Sequence, residues 1–197
     1  MSAPINKVCV IGAGVMGAGI AAHVANAGVD VVLLDIVPEG ADNRNAITEG
    51  AIGKLLKADP APLMHKRNAK RITPGNIEDH MDLLAECDWI VEAVIERLDI
   101  KQDLYRKIDA HRKPGSVVSS NTSTIPLANL TEGMSEDFCR DFLITHFFNP
   151  PRYMRLLELV GGSETRADAL EDIRNFCDIK LGKGVVDIGA ALAKNGI

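Results

Sequence analysis

KVCVIGAGVMGAGIAAHVANAG, the stretch from Lys7 to Gly28, decides the fold of this chain. In it an apolar run turns through Gly12, Gly14 and Gly17 directly into a helical pattern. The first glycine permits a tight turn, the second lets the backbone approach a pyrophosphate, and the third lets the helix pack closely on the strand. Free backbone N–H groups and the positive end of the helix dipole then face the phosphates. The stretch predicts a strand–turn–helix unit that binds a dinucleotide.

The acidic residue that such a unit requires is Asp35, which ends the next apolar run, VVLLD. Its position, roughly 20 residues beyond the glycines, suits a carboxylate that accepts hydrogen bonds from the adenosine ribose hydroxyls. Ile36, Val37 and Pro38 follow, and none of them is an Arg that could accommodate a 2′-phosphate. We therefore predict NAD as the cofactor. A glycine turn without a ligand is the alternative, and the combination of strand, helix and acid argues against it.

Length and composition limit the classes of protein to consider. The 197 residues suit one large domain, or one domain and the beginning of another. A hydrophobic content of 46% with 25% charged residues is typical of a soluble globular protein. No apolar run reaches membrane-spanning length, and the six residues before the first strand leave no room for a signal peptide. The net charge of -5 argues against nucleic-acid binding. We expect a cytoplasmic protein.

The four cysteines carry no metal or disulfide signature. Cys9, Cys87, Cys139 and Cys177 are widely spaced, and no CxxC or HxxxH spacing accompanies them. They are predicted to be small core residues in a reducing compartment, and no metal site is expected.

Apolar runs and helical patterns alternate along the chain, which predicts an α/β fold of the Rossmann type. Its doubly wound sheet should be mostly parallel, and a helical extension after the second strand should project from it. The predicted strands are residues 7–11, 30–35, 71–73, 89–94, 116–120, 141–147, 154–160 and 185–186. The predicted helices are residues 15–27, 41–58, 63–69, 98–111 and 168–181, with a short helix or turn at 79–86 and a turn at 74–75. Residues 1–186 form the predicted nucleotide-binding domain, and 187–197 a short tail.

Ligands of open parallel sheets bind beyond the carboxyl ends of the strands, and three polar segments fall there. They are Glu92 to Glu96, Ser119 to Thr124, and His146 to Pro150. Two carboxylates at a strand end could simply cap the next helix, and one hydroxyl of the second segment could do the same. A lone histidine is usually structural, but this one ends a strand close to the expected cofactor.

Glu158 interrupts an otherwise apolar strand, RLLELV, where a carboxylate costs several kcal/mol of desolvation unless it has a partner. Strand alternation places it on one face with Met154, Leu156 and Val160. If this strand pairs with the strand of His146, the carboxylate can bond one ring nitrogen and leave the other for substrate. Such a pair fixes the tautomer and raises the basicity of the imidazole.

A cationic stretch runs from His65 to Arg71, with Lys54 and Lys57 upstream. Charge runs are usually solvated faces. The functional alternative is a landing site for a phosphorylated ligand on an acidic protein.

The motifs IGAGVMGAGIA, VEAVIE, SSNTSTIP, ITHFFNPP and RLLELV occur in the order and spacing of the 3-hydroxyacyl-CoA dehydrogenases. The chain resembles this family from about Lys7 to Val186. The resemblance implies that His146 is the general base and Glu158 its orienting partner. It also implies that Ser123 binds the substrate oxygen and that Asn149 orients substrate and nicotinamide.

The resemblance further implies that Glu96 and Lys101 lie on the cofactor and that Lys54 and Lys57 contact the acyl-CoA. Together with Ser123, His146 and Asn149, these two lysines form the expected substrate site. The expected cofactor site comprises Gly12, Gly14, Val15, Met16, Gly17, Asp35, Ile36, Ala93, Val94, Glu96, Lys101, Asn121, Ser123 and Asn149.

The implied reaction is NAD-dependent oxidation of a (S)-3-hydroxyacyl-CoA to the 3-ketoacyl-CoA, a step of fatty-acid β-oxidation. The segment PRYMRLLEL resembles forms in longer multifunctional fatty-acid oxidation proteins. The family continues past GKGVVD into a helical second domain that supplies an asparagine, a pocket wall and the dimer interface, and DIGAALAKNGI does not match it. A homodimer and full turnover are expected only with that domain. Two alternatives stay open: a non-catalytic NAD-binding module or remnant, and a dehydrogenase of another small hydroxy acid.

Overall fold

The computed structural model describes residues 4–189 as an eight-stranded sheet with helices on both faces. The strands are β1 Lys7–Ile11, β2 Asp30–Asp35, β3 Ile72–Asn76, β4 Trp89–Glu92, β5 Val117–Ser120, β6 Phe142–Phe147, β7 Leu156–Gly161 and β8 Gly184–Ile188. The α-helices are α1 Val15–Asn26, α2 Ala46–Leu55, α3 Leu98–His111, α4 Leu127–Leu130, α5 Glu136–Asp141 and α6 Ala167–Asn175. Two 3₁₀ helices span Lys66–Arg71 and Met81–Glu86, and a π-helix spans Phe176–Lys180.

The strand order is β3-β2-β1-β4-β5-β6-β7-β8. Strands β1 to β6 are parallel, so their carboxyl ends meet at one edge of the sheet, called the carboxyl edge below. Strand β7 is antiparallel to β6, and β8 runs parallel to β7. Successive strands are added on one side of β1 as far as β3 and on its other side from β4 onward, and the carboxyl edge at this switch point between β1 and β4 is where ligands of open α/β sheets bind. The predicted Rossmann-type, mostly parallel fold is confirmed.

Two apolar cores cover the two faces of the sheet, because successive side chains of a strand point to opposite faces. In β1, Val8 and Val10 belong to one core, while Cys9 and Ile11 belong to the other. Helices α1, α2 and α6 contribute to the first core, and α3, α4 and α5 to the second. The sheet is therefore buried on both sides, and its carboxyl edge is left for a ligand.

The predicted turn at residues 74–75 is wrong, because β3 continues through Pro74 and Gly75. Strand β3 lies at the edge of the sheet, where a proline does not remove a ladder bond on its open side. A Cβ on Gly75 would come within 2.7 Å of Leu34 Cδ2, so the glycine allows close packing of the edge strand.

The helical extension after β2 is present but shorter than predicted. The helix predicted at 41–58 is confined to α2, and residues 63–69 contribute only to a 3₁₀ helix. Helix α2 packs against the sheet through Ala51 and Leu55. The expectation that this extension projects from the sheet is therefore wrong for α2. Thr48 near its start donates to Gly75 O at 3.1 Å, which sets α2 running from the carboxyl edge toward the opposite edge.

The structure differs from the predicted helices and strands at four further places, where the sequence pattern is too short or too weak to fix the bounds of an element. Helices α4 and α5 were not predicted, since each spans less than two turns; Ser135 caps α5 by accepting from Phe138 N at 3.1 Å. The helix predicted at 168–181 divides into α6 and the π-helix. The strand predicted at 89–94 ends at Glu92, and the one at 185–186 extends over Gly184–Ile188. The last eight residues of the predicted tail, 190–197, lie outside the described residues.

Candidate functional site

The glycine loop between β1 and α1 has the geometry that its three glycines predict. Gly12 has a φ of +106°, and a Cβ there would lie 2.5 Å from Ala93 O. A Cβ on Gly17 would lie 1.7 Å from Gly12 O, so only glycine lets α1 approach the loop. A Cβ on Gly14 meets nothing within 4 Å, so the space above Gly14 is open. A pyrophosphate fits that open space.

The first turn of α1 provides the electrostatics for an anion. Gly14 is the N-cap and offers no side-chain cap, and the turn contains no acidic residue. The backbone N–H groups of the first turn are therefore not satisfied by a side-chain cap, and the positive end of the helix dipole faces the open space. Val15, at the start of the turn, is 75% exposed. This end of α1 suits the phosphates of a dinucleotide.

Asp35 is bound to the glycine loop as well as to its own strand. Its Oδ2 accepts from Ala13 N at 2.5 Å, and its Oδ1 accepts from Ile36 N at 2.7 Å. Each carboxylate oxygen keeps a second lone pair for a ribose hydroxyl. Ile36 and Ile95 are each 59% exposed and follow β2 and β4, the strands on either side of β1. Of the two, Ile36 lies next to Asp35 and suits an apolar face of an adenine ring.

The carboxylate of Glu92, at the end of β4, is fully buried and does not cap a helix. Its Oε1 accepts from Val94 N at 2.8 Å and from Lys101 Nζ at 2.6 Å. Its Oε2 accepts from Tyr105 OH at 2.6 Å and from Ser120 Oγ at 2.7 Å. Burial, followed by the charge of Glu92, raises the pKa of Tyr105 well above its usual range, so the phenol keeps its proton and donates it.

Glu96 shares Lys101 with Glu92. The Lys101 ammonium is 1% exposed and lies 3.3 Å from Glu96 Oε2. Glu96 Oε1 accepts from the hydroxyls of Thr122 and, at 3.0 Å, of Thr124. Partial burial alone would raise the pKa of Glu96, but the Thr122 hydroxyl and the Lys101 charge outweigh it and lower the pKa. Glu96 is therefore held as an ionised, half-exposed carboxylate at the carboxyl edge.

His146 and Glu158 form the contact that the strand pattern predicts. They face each other across the antiparallel pair β6–β7, and His146 Nδ1 lies 2.8 Å from Glu158 Oε2. Both side chains are partly exposed, at 21% and 31%. The ring of Phe148 lies 4.4 Å from the imidazole, centroid to centroid. Within residues 4–189, His146 Nε2 has no hydrogen-bond partner, so this nitrogen is available to a ligand.

A cavity of about 360 Å³ lies beside this pair. It is lined by Met16, Ala93, Val94, Glu96, Asn121, Ser123, His146, Phe147, Phe148 and Asn149. Eight of these residues belong to the site that the sequence predicts. Two larger cavities, of about 570 and 450 Å³, lie at the opposite edge, around the residues that precede β5 and β6. Of these three cavities within residues 4–189, the smallest is the one lined by both Met16 of α1 and His146, so it is the candidate active site.

Lys101, Lys54 and Lys57 are among the predicted residues that do not line this cavity. Lys101 lies behind Glu96, so any effect on a cofactor passes through that carboxylate. Lys54 and Lys57 are exposed at the end of α2, the end that faces away from the carboxyl edge. The edge of the sheet opposite the carboxyl edge also carries the cationic stretch from His65 to Arg71, in which Arg71 pairs with Asp30 at 2.8 Å. Their contact with an acyl-CoA stays a prediction.

Sequence reasoning missed several residues of the site. Ile95 and Phe148 belong to the motifs VEAVIE and HFFNP. The sequence does not show that Ile95 is exposed at the carboxyl edge or that Phe148 lines the cavity. Tyr105 follows Lys101 by one helical turn on α3, a spacing that places both on one face of the helix. Asn121 has a structural bond too, since its Oδ1 accepts from Phe147 N at 2.9 Å.

The described part of the chain contains neither a cluster of metal ligands nor a disulfide. All four cysteines are free; Cys139 is partly buried and the others are buried. Residues 4–189 contain no group of three potential metal ligands. None of the described helices combines the length and the apolar character that a membrane crossing requires.

Comparison with known proteins identifies the family. The family model for the 3-hydroxyacyl-CoA dehydrogenase, NAD binding domain, matches residues 7–191. A probable 3-hydroxyacyl-CoA dehydrogenase of Bacillus subtilis is 47% identical over 196 residues, covering 92% of this chain and 25% of that protein. A putative fatty acid oxidation complex trifunctional enzyme of Rickettsia felis is 45% identical over 186 residues, covering 94% of this chain and 26% of that protein.

A solved structure agrees with these relatives. The crystal structure of 3-hydroxybutyryl-CoA dehydrogenase from Escherichia coli superposes with a TM-score of 0.80 at 28% identity, over 95% of this chain and 39% of that one. The chain thus spans about a quarter of the length of the two curated relatives above. The glycine cradle and Asp35 fit the cofactor that the family model names. The chain belongs to the 3-hydroxyacyl-CoA dehydrogenase family, as its NAD binding domain, and NAD is its cofactor.

Proposed function

We propose that this chain is the cofactor-binding part of an enzyme that oxidises (S)-3-hydroxyacyl-CoA to 3-ketoacyl-CoA in fatty-acid β-oxidation. One observation supports the proposal: His146, which is hydrogen-bonded to Glu158, lines a cavity that Met16 of α1 also lines. A general base must lie within reach of the proton it removes, beside the cofactor that takes the electrons.

The chemistry assigned to the chain is a proton transfer. With Nδ1–H donated to Glu158, His146 is held in the tautomer whose Nε2 carries a free lone pair. That nitrogen accepts the proton of the 3-hydroxyl group, while the C3–H bond breaks and the C3–O bond becomes a carbonyl. NAD, when bound, supplies the acceptor for the hydride that leaves C3. The Glu158 carboxylate stabilises the imidazolium that results.

Ser123 and Asn149 line the same cavity and are proposed to orient the substrate oxygen and the nicotinamide. Glu96, ionised at the cavity wall, is proposed to contact the cofactor directly, and Lys101 to act by holding Glu96. Lys54 and Lys57 are proposed to meet the charged, distal part of the acyl-CoA, because they are exposed cations remote from the cavity.

The partners that we propose are the acyl-CoA and a helical second domain of the kind that the family carries. The curated relatives above are about four times as long as the matched segment, and one is described as a trifunctional enzyme. The second domain would close the cavity and form the homodimer. We also propose a cytoplasmic location, which four free cysteines favour.

The test uses residues 1–197 alone and the same polypeptide fused to the helical domain of a longer relative. We expect residues 1–197 to bind NADH, measured by calorimetry, and to oxidise (S)-3-hydroxybutyryl-CoA very weakly, measured by NADH absorbance. An open cavity admits water and weakens the electrostatics of catalysis. The fusion should restore turnover. A fusion that binds NADH but oxidises no 3-hydroxyacyl-CoA of any chain length would contradict the proposal and favour a non-catalytic module.

A further inference from the structure

We infer that Glu92 is a positioning residue. It holds the loops at residues 93–96 and 121–124, which lie on the nicotinamide side of the cofactor site. The inference deepens the proposed function and rests on it, because it takes NAD to bind at the carboxyl edge. Glu92 is fully buried and touches neither the cavity nor its opening. It acts through the residues that it joins.

Four donors converge on this carboxylate from three separate elements. Val94 N comes from the loop after β4, Lys101 and Tyr105 from α3, and Ser120 from β5. A buried carboxylate requires such compensation, since removing an ionised group from water costs several kcal/mol. With all its acceptor sites engaged, Glu92 cross-links β4, β5 and α3 below the carboxyl edge.

Two branches lead from this carboxylate to the cavity. In the first, Lys101 bridges to Glu96, whose other oxygen accepts from Thr122 and Thr124. In the second, Ser120 Oγ donates to Glu92 and accepts from Thr122 N at 3.2 Å. Both branches end on the loops at residues 93–96 and 121–124.

Those two loops supply five residues of the cavity wall, Ala93, Val94, Glu96, Asn121 and Ser123. The glycine loop and Asp35 are fixed by other contacts, the bonds of Gly12 N to Leu34 O and of Ala13 N to Asp35. The two parts of the site touch where Gly12 meets Ala93, but the hydrogen bonds that support them are separate. Weakening the Glu92 network should disturb the nicotinamide part and leave the adenosine part intact.

Adjacent serines of β5 provide a matched pair of variants. Ser119 and Ser120 are both fully buried and hydrogen-bonded, but they point to opposite faces of the sheet. Ser119 Oγ accepts from Trp89 Nε1 at 2.9 Å and bonds Thr145, while Ser120 bonds Glu92. Ser120→Ala removes one donor from Glu92, and Ser119→Ala removes a comparable bond from the other face. Tyr105→Phe removes a second donor independently.

The experiment measures affinity for NADH and for ADP by calorimetry in the 197-residue chain. ADP ends before the second ribose, so it reports only on the glycine loop and Asp35. We expect Ser120→Ala to raise the Kd for NADH about tenfold, the equivalent of one weakened hydrogen bond to a charge, and Tyr105→Phe to act in the same direction. The Kd for ADP should change less than about twofold, and Ser119→Ala should change neither ligand's Kd beyond that.

Hydrogen–deuterium exchange of the ligand-free chain gives a readout without cofactor. In Ser120→Ala, amides of residues 93–97 and 121–125 should exchange faster, while those of 12–20 should not change. Equal weakening of NADH and ADP, an equally large effect of Ser119→Ala, or unchanged exchange at 93–97 would each overturn the inference. A wild-type chain that binds ADP but not NADH would also overturn it. A wild-type chain that binds neither would refute the cofactor site itself.

Discussion

The carboxylate of Asp35 accepts a hydrogen bond from the backbone of Ala13 at 2.5 Å, so the acid that selects the cofactor also fixes the glycine loop. A 2′-phosphate would meet this charge, and none of Ile36, Val37 and Pro38 that follow it is an Arg that could offset it. We therefore expect NADH to bind at least about tenfold more tightly than NADPH.

The variant Asp35→Asn separates the two roles of this residue. The amide oxygen can still accept from Ala13 N, whereas the negative charge and the acceptor for Ile36 N are lost; because Ile36 is exposed, water can replace that second bond. Its preference for NADH over NADPH in calorimetric titrations should shrink, while the melting temperature stays close to wild type. Tighter binding of NADPH than NADH by the wild-type chain would overturn the assignment.

Removing the imidazole of His146 should lower kcat strongly and leave the affinity for NADH unchanged. In a form of the protein that turns over, His146→Gln should lower kcat by about 10²–10⁴, the usual range for a general base. Glu158→Gln should also be severely impaired, because the amide no longer stabilises the charged ring. Steady-state kinetics and NADH titration together check this. Near-normal kcat in His146→Gln would remove it from the role of base.

Two glycines of the same loop should fail in different ways when replaced by alanine. Gly14 has an ordinary φ of -67° and open space, so Gly14→Ala should fold normally and lose NADH affinity by about tenfold or more. Gly17→Ala places a Cβ 1.7 Å from Gly12 O, so it should unfold at a much lower temperature. Thermal unfolding and NADH titration separate the two. Unchanged NADH affinity in Gly14→Ala would place the pyrophosphate elsewhere.

His23 on α1 should make the fold sensitive to acid. Burial, and after it the charge of Lys183, lowers the pKa of His23 to about 4 from 6.5, against a smaller raising effect of the Leu181 backbone; within residues 4–189 neither ring nitrogen reaches full hydrogen-bond geometry. The unfolded chain therefore binds more protons between these values. Stability should be full above pH 6.5 and fall as the pH falls toward 4, by up to about 1.4 kcal/mol per pH unit from this group.

Denaturant unfolding at several pH values tests this, with His23→Leu as the variant. The leucine cannot take up a proton, so the fall in stability below pH 6.5 should be smaller by this contribution. The matched control is His111→Gln, which changes an exposed histidine at the end of α3 and should keep the wild-type dependence. A pH dependence in His23→Leu identical to wild type would contradict the prediction.

The parts of the site that the sequence predicts are those with a local signature. Three glycines before a helix and an acid after the next strand carry their own spacing, and both are where they were expected. The contact of Glu158 with His146 was predictable because a carboxylate in an apolar strand requires a partner.

The Glu92 network was not predictable, since Tyr105 and Ser120 approach it from distant points of the chain. The same holds for the fold. Helix α3, which has a clear amphipathic period, has the predicted ends. The turn predicted at Pro74 is wrong, because the sequence does not reveal that its strand lies at the edge of the sheet. Tertiary context decided both cases.

The backbone hydrogen bonds between β6 and β7 set the distance between His146 and Glu158, because the two residues are direct partners in this antiparallel pair. Residues 148–155 connect the two strands outside this ladder, and the buried side chains of Leu157 and Leu159 specify its register. A slip of β7 by one position would instead bring Leu157 or Leu159 opposite His146. The strand register thus holds the His146–Glu158 pair together, while the segment that joins the two strands places Phe148 and Asn149 in the same cavity.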